Sequence, residues 1–162
     1  MPTYCIEEVM FSRLPHFTIK DDAGVECYEV GCEKWSLKKN LILKDVNGIE
    51  LAQIIQTSVW IHRYEIYEDG VLSARFRVES ALFKTNLYID GPNWEIVGKL
   101  KGSKFDIIDL DGGIHASITR DRSNWGDTYY IDIAPGESEI LLLATVIVLN
   151  AILDSNESSA GS

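Results

Sequence analysis

A chain of 162 residues, 46% hydrophobic and 25% charged, is long enough for one sizeable core and too short for two ordinary domains. Fifteen basic residues against 25 acidic give a net charge of −10, which argues against broad nucleic-acid binding and against strong attraction to anionic lipid, leaving a local basic patch for either. Three cysteines, Cys5, Cys27 and Cys32, make an odd count without a disulfide framework, and the opening MPTYCIEEVMFSRLP lacks a basic run followed by an apolar one. A reduced, cytoplasmic setting without a secretory signal is therefore expected.

Along the chain one unit recurs. FTIKDDAG from Phe17 returns as LILKDVNG from Leu41, YEIYEDG from Tyr64, LYIDG from Leu87, FDIIDLDG from Phe105 and YYID from Tyr129. The first residues of these units lie 24, 23, 23, 18 and 24 positions apart, the mark of a repeated supersecondary unit. Each unit reads as a short strand of alternating apolar residues, an Asp/Asn/Gly turn and a longer strand. In the longer strands Leu72, Ala74, Phe76 and Val78 are expected to face one way, and Ser73, Arg75 and Arg77 the other. Helical periodicity is absent before residue 136, so the fold class is mainly β. Six units of two strands give about twelve strands in a closed antiparallel barrel, wide enough to need a filling.

The last element is ILLLATVIVLNAIL, Ile140 to Leu153, fourteen residues without a charge. As a helix it spans about 21 Å, short of the roughly 30 Å of bilayer hydrocarbon, and basic flanks are missing. A helix apolar on all sides needs apolar surroundings, and the barrel interior supplies them better than a membrane anchor would. Pro135 and Gly136 end the last strand, so residues 137–153 form a core helix. Thr145 is expected to bond back to its own helix and Asn150 to lie near an opening. Residues 1–154 then form one domain, and 155–162 a disordered polar tail.

Candidate chemistry is sparse. Cys27 and Cys32 have the wrong spacing for paired zinc ligands, and His16, His62 and His115 fall in different units, His115 pointing outward as a solvated side chain. Asp106, Asp109 and Asp111 invite a calcium reading, but the loop lacks the glutamate that such a site needs, and its repeat position favours a hairpin turn. No metal, cofactor or catalytic residue is expected. Trp35, Trp60, Trp94 and Trp125 sit at unit junctions and read as packing plugs. Lys38 and Lys39 adjoin, while Arg75 with Arg77, and Lys99 with Lys101, each share a strand face. Those last four are the candidate anion-binding residues, with solvated outer faces as the competing reading.

The order of these motifs resembles the LOR family, which is related to the Tubby C-terminal domain and the phospholipid scramblases. Phe11-Ser12, Trp35-Ser36, FTIKDDAG, LILKDVNG, YEIYEDG, WEIVGKL from Trp94 and WGDTYYIDI from Trp125 carry the likeness over residues 4 to 153. It implies a twelve-stranded barrel around a buried C-terminal helix. Tubby domains bind phosphoinositides through surface lysines and arginines, whose positions do not map onto this chain. Scramblases imply calcium and lipid, but their cysteine-rich and proline-rich segments are absent here. The resulting expectation is a non-catalytic binding module for a lipid headgroup, phosphoinositide-like, or for a protein partner. An enzyme with a spatially assembled site, or a structural or regulatory protein that oligomerises, are the alternatives.

Overall fold

The computed structural model describes residues 2–9, 14–32, 38–58, 63–81, 84–99, 102–123 and 126–160. Its strands are Thr3–Glu8 (β1), His16–Asp21 (β2), Glu26–Gly31 (β3), Asn40–Asp45 (β4), Glu50–Ser58 (β5) and Arg63–Glu68 (β6). Val71–Ala81 (β7), Lys84–Asp90 (β8), Trp94–Gly98 (β9), Lys104–Asp109 (β10), Ile114–Asp121 (β11) and Thr128–Ile133 (β12) follow, and the helix Glu139–Ala160 (α1) ends the chain. Every strand pairs antiparallel with its neighbours in sequence, and β1 pairs with β12, so the sheet closes and leaves no free edge. The sixth repeat is therefore split, β12 taking its partner from the start of the chain.

The turns follow from one carboxylate. Asp21 Oδ1 accepts from the N–H of Ala23 and Val25, Asp45 Oδ1 from Asn47 and Ile49, and Asp109 Oδ1 from Asp111 and Gly113, all at 2.9–3.0 Å. The third loop is the one that invited a calcium reading, and the Asp109 carboxylate is already holding the turn. Register shifts sit just before these three loops and also between Ile66 and Tyr67. A bulge of this kind turns the next residue to the other face. It moves Leu72 opposite Tyr67, so Leu72 is exposed rather than facing inward with Ala74 and Phe76 as simple alternation predicts.

One glycine is fixed by a neighbouring backbone. Gly91 has φ +110°, and a Cβ there would lie 2.3 Å from the Ser73 carbonyl oxygen. Gly91→Ala is expected to destabilise the fold by more than about 2 kcal/mol, through strain plus displacement of β7. At Gly24, with φ +80° and nothing within 4 Å of an added Cβ, the same change costs roughly 1 kcal/mol for the backbone conformation alone. Urea midpoints of the two variants test the difference; equal losses would mean that the close approach is not real.

The helix fills the barrel. Leu141 through Leu153 are all buried, against inward residues from all twelve strands, which answers what occupies so wide an interior. Leu142 N–H donates to the Ser138 carbonyl at 3.1 Å, placing Ser138 at the N-cap. Thr145 Oγ1 donates to the Leu141 carbonyl at 2.7 Å, as its sequence suggests. Asn150 is 4% exposed and accepts from Tyr129 Oη at 3.0 Å, so it is a tether inside the core and not a group at an opening. The helix also continues past Leu153, where the sequence reading ends it, to Ala160; no breaker intervenes before Gly161, and Ser155 Oγ donates to the Ala151 carbonyl.

Candidate functional site

The meander gives the barrel two chemically different ends. Tight hairpins β2–β3, β4–β5, β6–β7, β8–β9 and β10–β11, with the segment from β12 into α1, form the hairpin end. Connections between the repeats form the other, the link end, where α1 finishes. Among the described basic residues only Lys20, Lys44, Arg75 and Arg77 lie on the hairpin half or mid-wall; every other one flanks a link. Acidic residues show the reverse bias. Three fall in 21–26, two each in 45–50, 68–69, 109–111 and 137–139, and one at 90, so 12 of the 25 crowd the hairpin end. The charge of −10 is thus concentrated at one pole.

At the link end a buried cation sits among carboxylates. Arg120, 2% exposed, donates through Nε and Nη2 to Asp127 Oδ2 at 3.0 and 2.6 Å, and Asp154 on α1 lies 4.0 Å from Nη2. Burial pushes the Glu8 carboxyl above its ordinary value, with the charges of Asp154 and Asp127 acting the same way. Burial and then Asp154 raise the Tyr64 hydroxyl to about 12. Outside this core lie Lys39, Arg63, Lys99 and Lys104, which make no ion pair with another described residue.

Of the four sequence candidates, Arg75 and Arg77 share the outer face of β7, and both are held by carboxylates. Arg75 Nε reaches Glu65 at 2.9 Å. Arg77 pairs with Asp90 and Glu79, each at 2.6 Å, and lies 5.1 Å above the Tyr88 ring. Register sets Arg77 opposite Tyr88 and Tyr88 opposite Glu95, so Lys99 stands two strands away, beyond the end of β9. Lys101, like Trp35, Trp60, His62 and Trp125, lies outside the described residues. The wall does not gather Arg75, Arg77 and Lys99 into one cluster.

At the hairpin end a histidine joins two elements. His115 Nε2 lies 2.9 Å from Asp109 Oδ2, and Glu137 Oε1 approaches Nδ1 to 2.6 Å. The second contact is out of line with an N–H, and is an ion pair rather than a well-aligned hydrogen bond. The side chain is 20% exposed and its ring lies 5.4 Å from that of Trp94, so His115 is a buried-side bridge and not the solvated residue that alternation suggests. Burial lowers its pKa, but the carboxylates of Asp109 and Glu137 outweigh this and leave it raised. Asp109 is lowered, first by the Gly113 N–H and then by His115.

A raised histidine pKa stabilises the fold fully below its ordinary value of 6.5, and the contribution fades as pH rises through the folded value. His115→Gln is therefore expected to lose most, relative to the parent, below about pH 6.5, with the two melting curves converging in mild alkali. A constant gap across that range would show that the ion pairs contribute nothing.

Both His115 nitrogens face carboxylates, and burial chiefly raises the thiols of Cys5 and Cys27, the opposite of an activated nucleophile. Among the described residues no three His, Cys, Asp or Glu side chains are placed to hold a metal ion, and no helix is long and apolar enough to cross a membrane.

A closed twelve-stranded antiparallel barrel threaded by its own C-terminal helix defines the class. The family model described as LURP-one-related (LOR) matches residues 3–150, and the chain belongs to that family. It is 30% identical over 153 residues to the uncharacterized protein YxjI of Bacillus subtilis, covering 94% of each chain. The X-ray structure of a protein from Arabidopsis thaliana is similar in fold, with TM-score 0.62 at 16% identity, over 96% of this chain and 91% of that one.

Proposed function

We propose that this chain is a non-catalytic binding module that takes an anionic, phosphate-bearing lipid headgroup at the link end of the barrel. The supporting observation is the axial separation of charge: the repulsion expected from −10 is centred at the far pole. Lys99 and Lys101 belong to the site in this reading, joined by Lys39, Arg63 and Lys104. Arg75 and Arg77 take part only by exchanging Glu65, Glu79 and Asp90 for the ligand. Roughly 1 kcal/mol for each cation near an anionic surface gives about 4 kcal/mol from Lys39, Arg63, Lys99 and Lys104, the strength of a millimolar binder.

Co-sedimentation with phosphatidylcholine vesicles, with and without phosphatidylinositol bisphosphate, tests this at about 0.05 and 0.5 M salt. Binding is expected only with the phosphoinositide and only at low salt. Lys39→Glu/Lys99→Glu/Lys104→Glu should abolish it, and Arg75→Glu/Arg77→Glu should weaken it less. Binding indifferent to salt and to both reversals, or absent at every salt, would remove the proposal.

A further inference from the structure

Seven of the nine exposed large hydrophobic residues in the described chain lie at the acidic hairpin end. Two adjacent hairpins carry four of them: Val46 at 67%, Ile49 at 58%, Val71 at 67% and Leu72 at 42% exposure. Their exposure has a structural cause. Val46 and Ile49 belong to the loop fixed by Asp45, and the bulge before Tyr67 turns Leu72 outward. Between these hairpins runs a groove of about 280 Å³, with Leu51 and Tyr67 in its lining and Glu50 and Asp69 among its polar edges. Neither Glu50 nor Asp69 has an ion pair among the described residues. Next to Asp69, Glu68 keeps Oε1 out of solvent without a described partner. Val25 extends the apolar rim on the neighbouring hairpin, and Leu110 and Ile114 stand across the mouth.

We propose that this pole docks a cationic amphipathic segment of a partner protein, with the segment's apolar side chains on Val46, Ile49, Val71 and Leu72 and its Lys or Arg between Glu50 and Asp69. Charge selects the occupant. A second copy docked hairpin end to hairpin end would bring two sets of a dozen carboxylates together, and an anionic bilayer would meet the same repulsion. A basic amphipathic helix presents aliphatic and cationic groups at the spacing that such a surface offers. This surface is separate from the link end, so it stands or falls independently of headgroup binding.

The probe is a synthetic 18-residue peptide with leucines on one helical face and lysines on the other, compared with a scrambled peptide of equal composition. Calorimetry and amide-shift mapping on the full chain are the readouts. The amphipathic peptide should bind at least tenfold tighter than the scrambled one and shift amides in 45–52 and 67–72. Ile49→Ser/Val71→Ser and Glu50→Gln/Asp69→Asn, all at exposed positions in or next to the turns, should each weaken binding about tenfold with unchanged melting temperatures. Equal affinity for both peptides, unaltered affinity in both double variants, or shifts centred on the link end would overturn the proposal. So would self-association or vesicle binding that Ile49→Ser/Val71→Ser abolishes, since the surface would then belong to a second copy or to a membrane.

Discussion

Val146→Asp should leave the chain without a cooperative unfolding transition. Val146 is fully buried in the apolar stretch of α1, inside a continuous hydrophobic core that offers no cation to a new carboxylate among the buried residues around the helix. An unpaired carboxylate in such surroundings costs several kcal/mol, a large part of the roughly 5–15 kcal/mol that holds a domain folded. Val146→Ala removes only two methyl groups and should cost roughly 2 kcal/mol, leaving a cooperative but earlier transition. Denaturant melts by circular dichroism separate the two. A Val146→Asp protein with the parent midpoint would mean that the helix is not the barrel's filling.

Arg120→Met should be the second most damaging change, costing about 3–5 kcal/mol. The guanidinium is fully enclosed, and its Nε and Nη2 donate to Asp127, a side chain 14% exposed. Removing the arginine strands that carboxylate beside Glu8, whose own carboxyl is already raised by burial and by the charges of Asp154 and Asp127, and takes away the cation 4.0 Å from Asp154. Arg120→Met/Asp127→Leu should recover part of the loss, because a well-packed apolar pair can replace a buried ion pair with little net cost. Urea midpoints of both singles and the double give the coupling energy. Full additivity would show that Arg120 and Asp127 do not act as a pair.

What the sequence discloses about this fold rests on two strong signals. The recurring apolar strand and Asp/Asn/Gly turn identify the repeat, and an apolar stretch too short for a bilayer identifies the filling. Both are local and periodic. Leu72 escapes because a bulge, set by the loop geometry, shifts register by one residue and reverses a face. His115 escapes because Glu137 lies 22 residues away and is brought back only when β12 leads into the helix. Arg120 was open to reading: it continues the inward series Ala116, Ile118, Arg120 on β11, and a charge on a core face calls for a buried partner. The separation of charge was also present in the chain, since basic residues follow the links and acidic ones the hairpins. It becomes visible only when the meander assigns alternate connections to opposite ends.

The proposed division of labour rests on the uneven charge of the two poles, acidic residues crowding the hairpins and basic ones the links. The most direct measurement is an amide-shift titration of the full chain with inositol hexakisphosphate, a soluble polyanion free of any membrane. Shifts should gather at the link end, in 38–40, 63–65, 98–99 and 103–105, fade on adding salt, and leave 21–26, 45–50 and 68–72 unmoved. Shifts spread evenly over both poles, or centred on the hairpins, would contradict it.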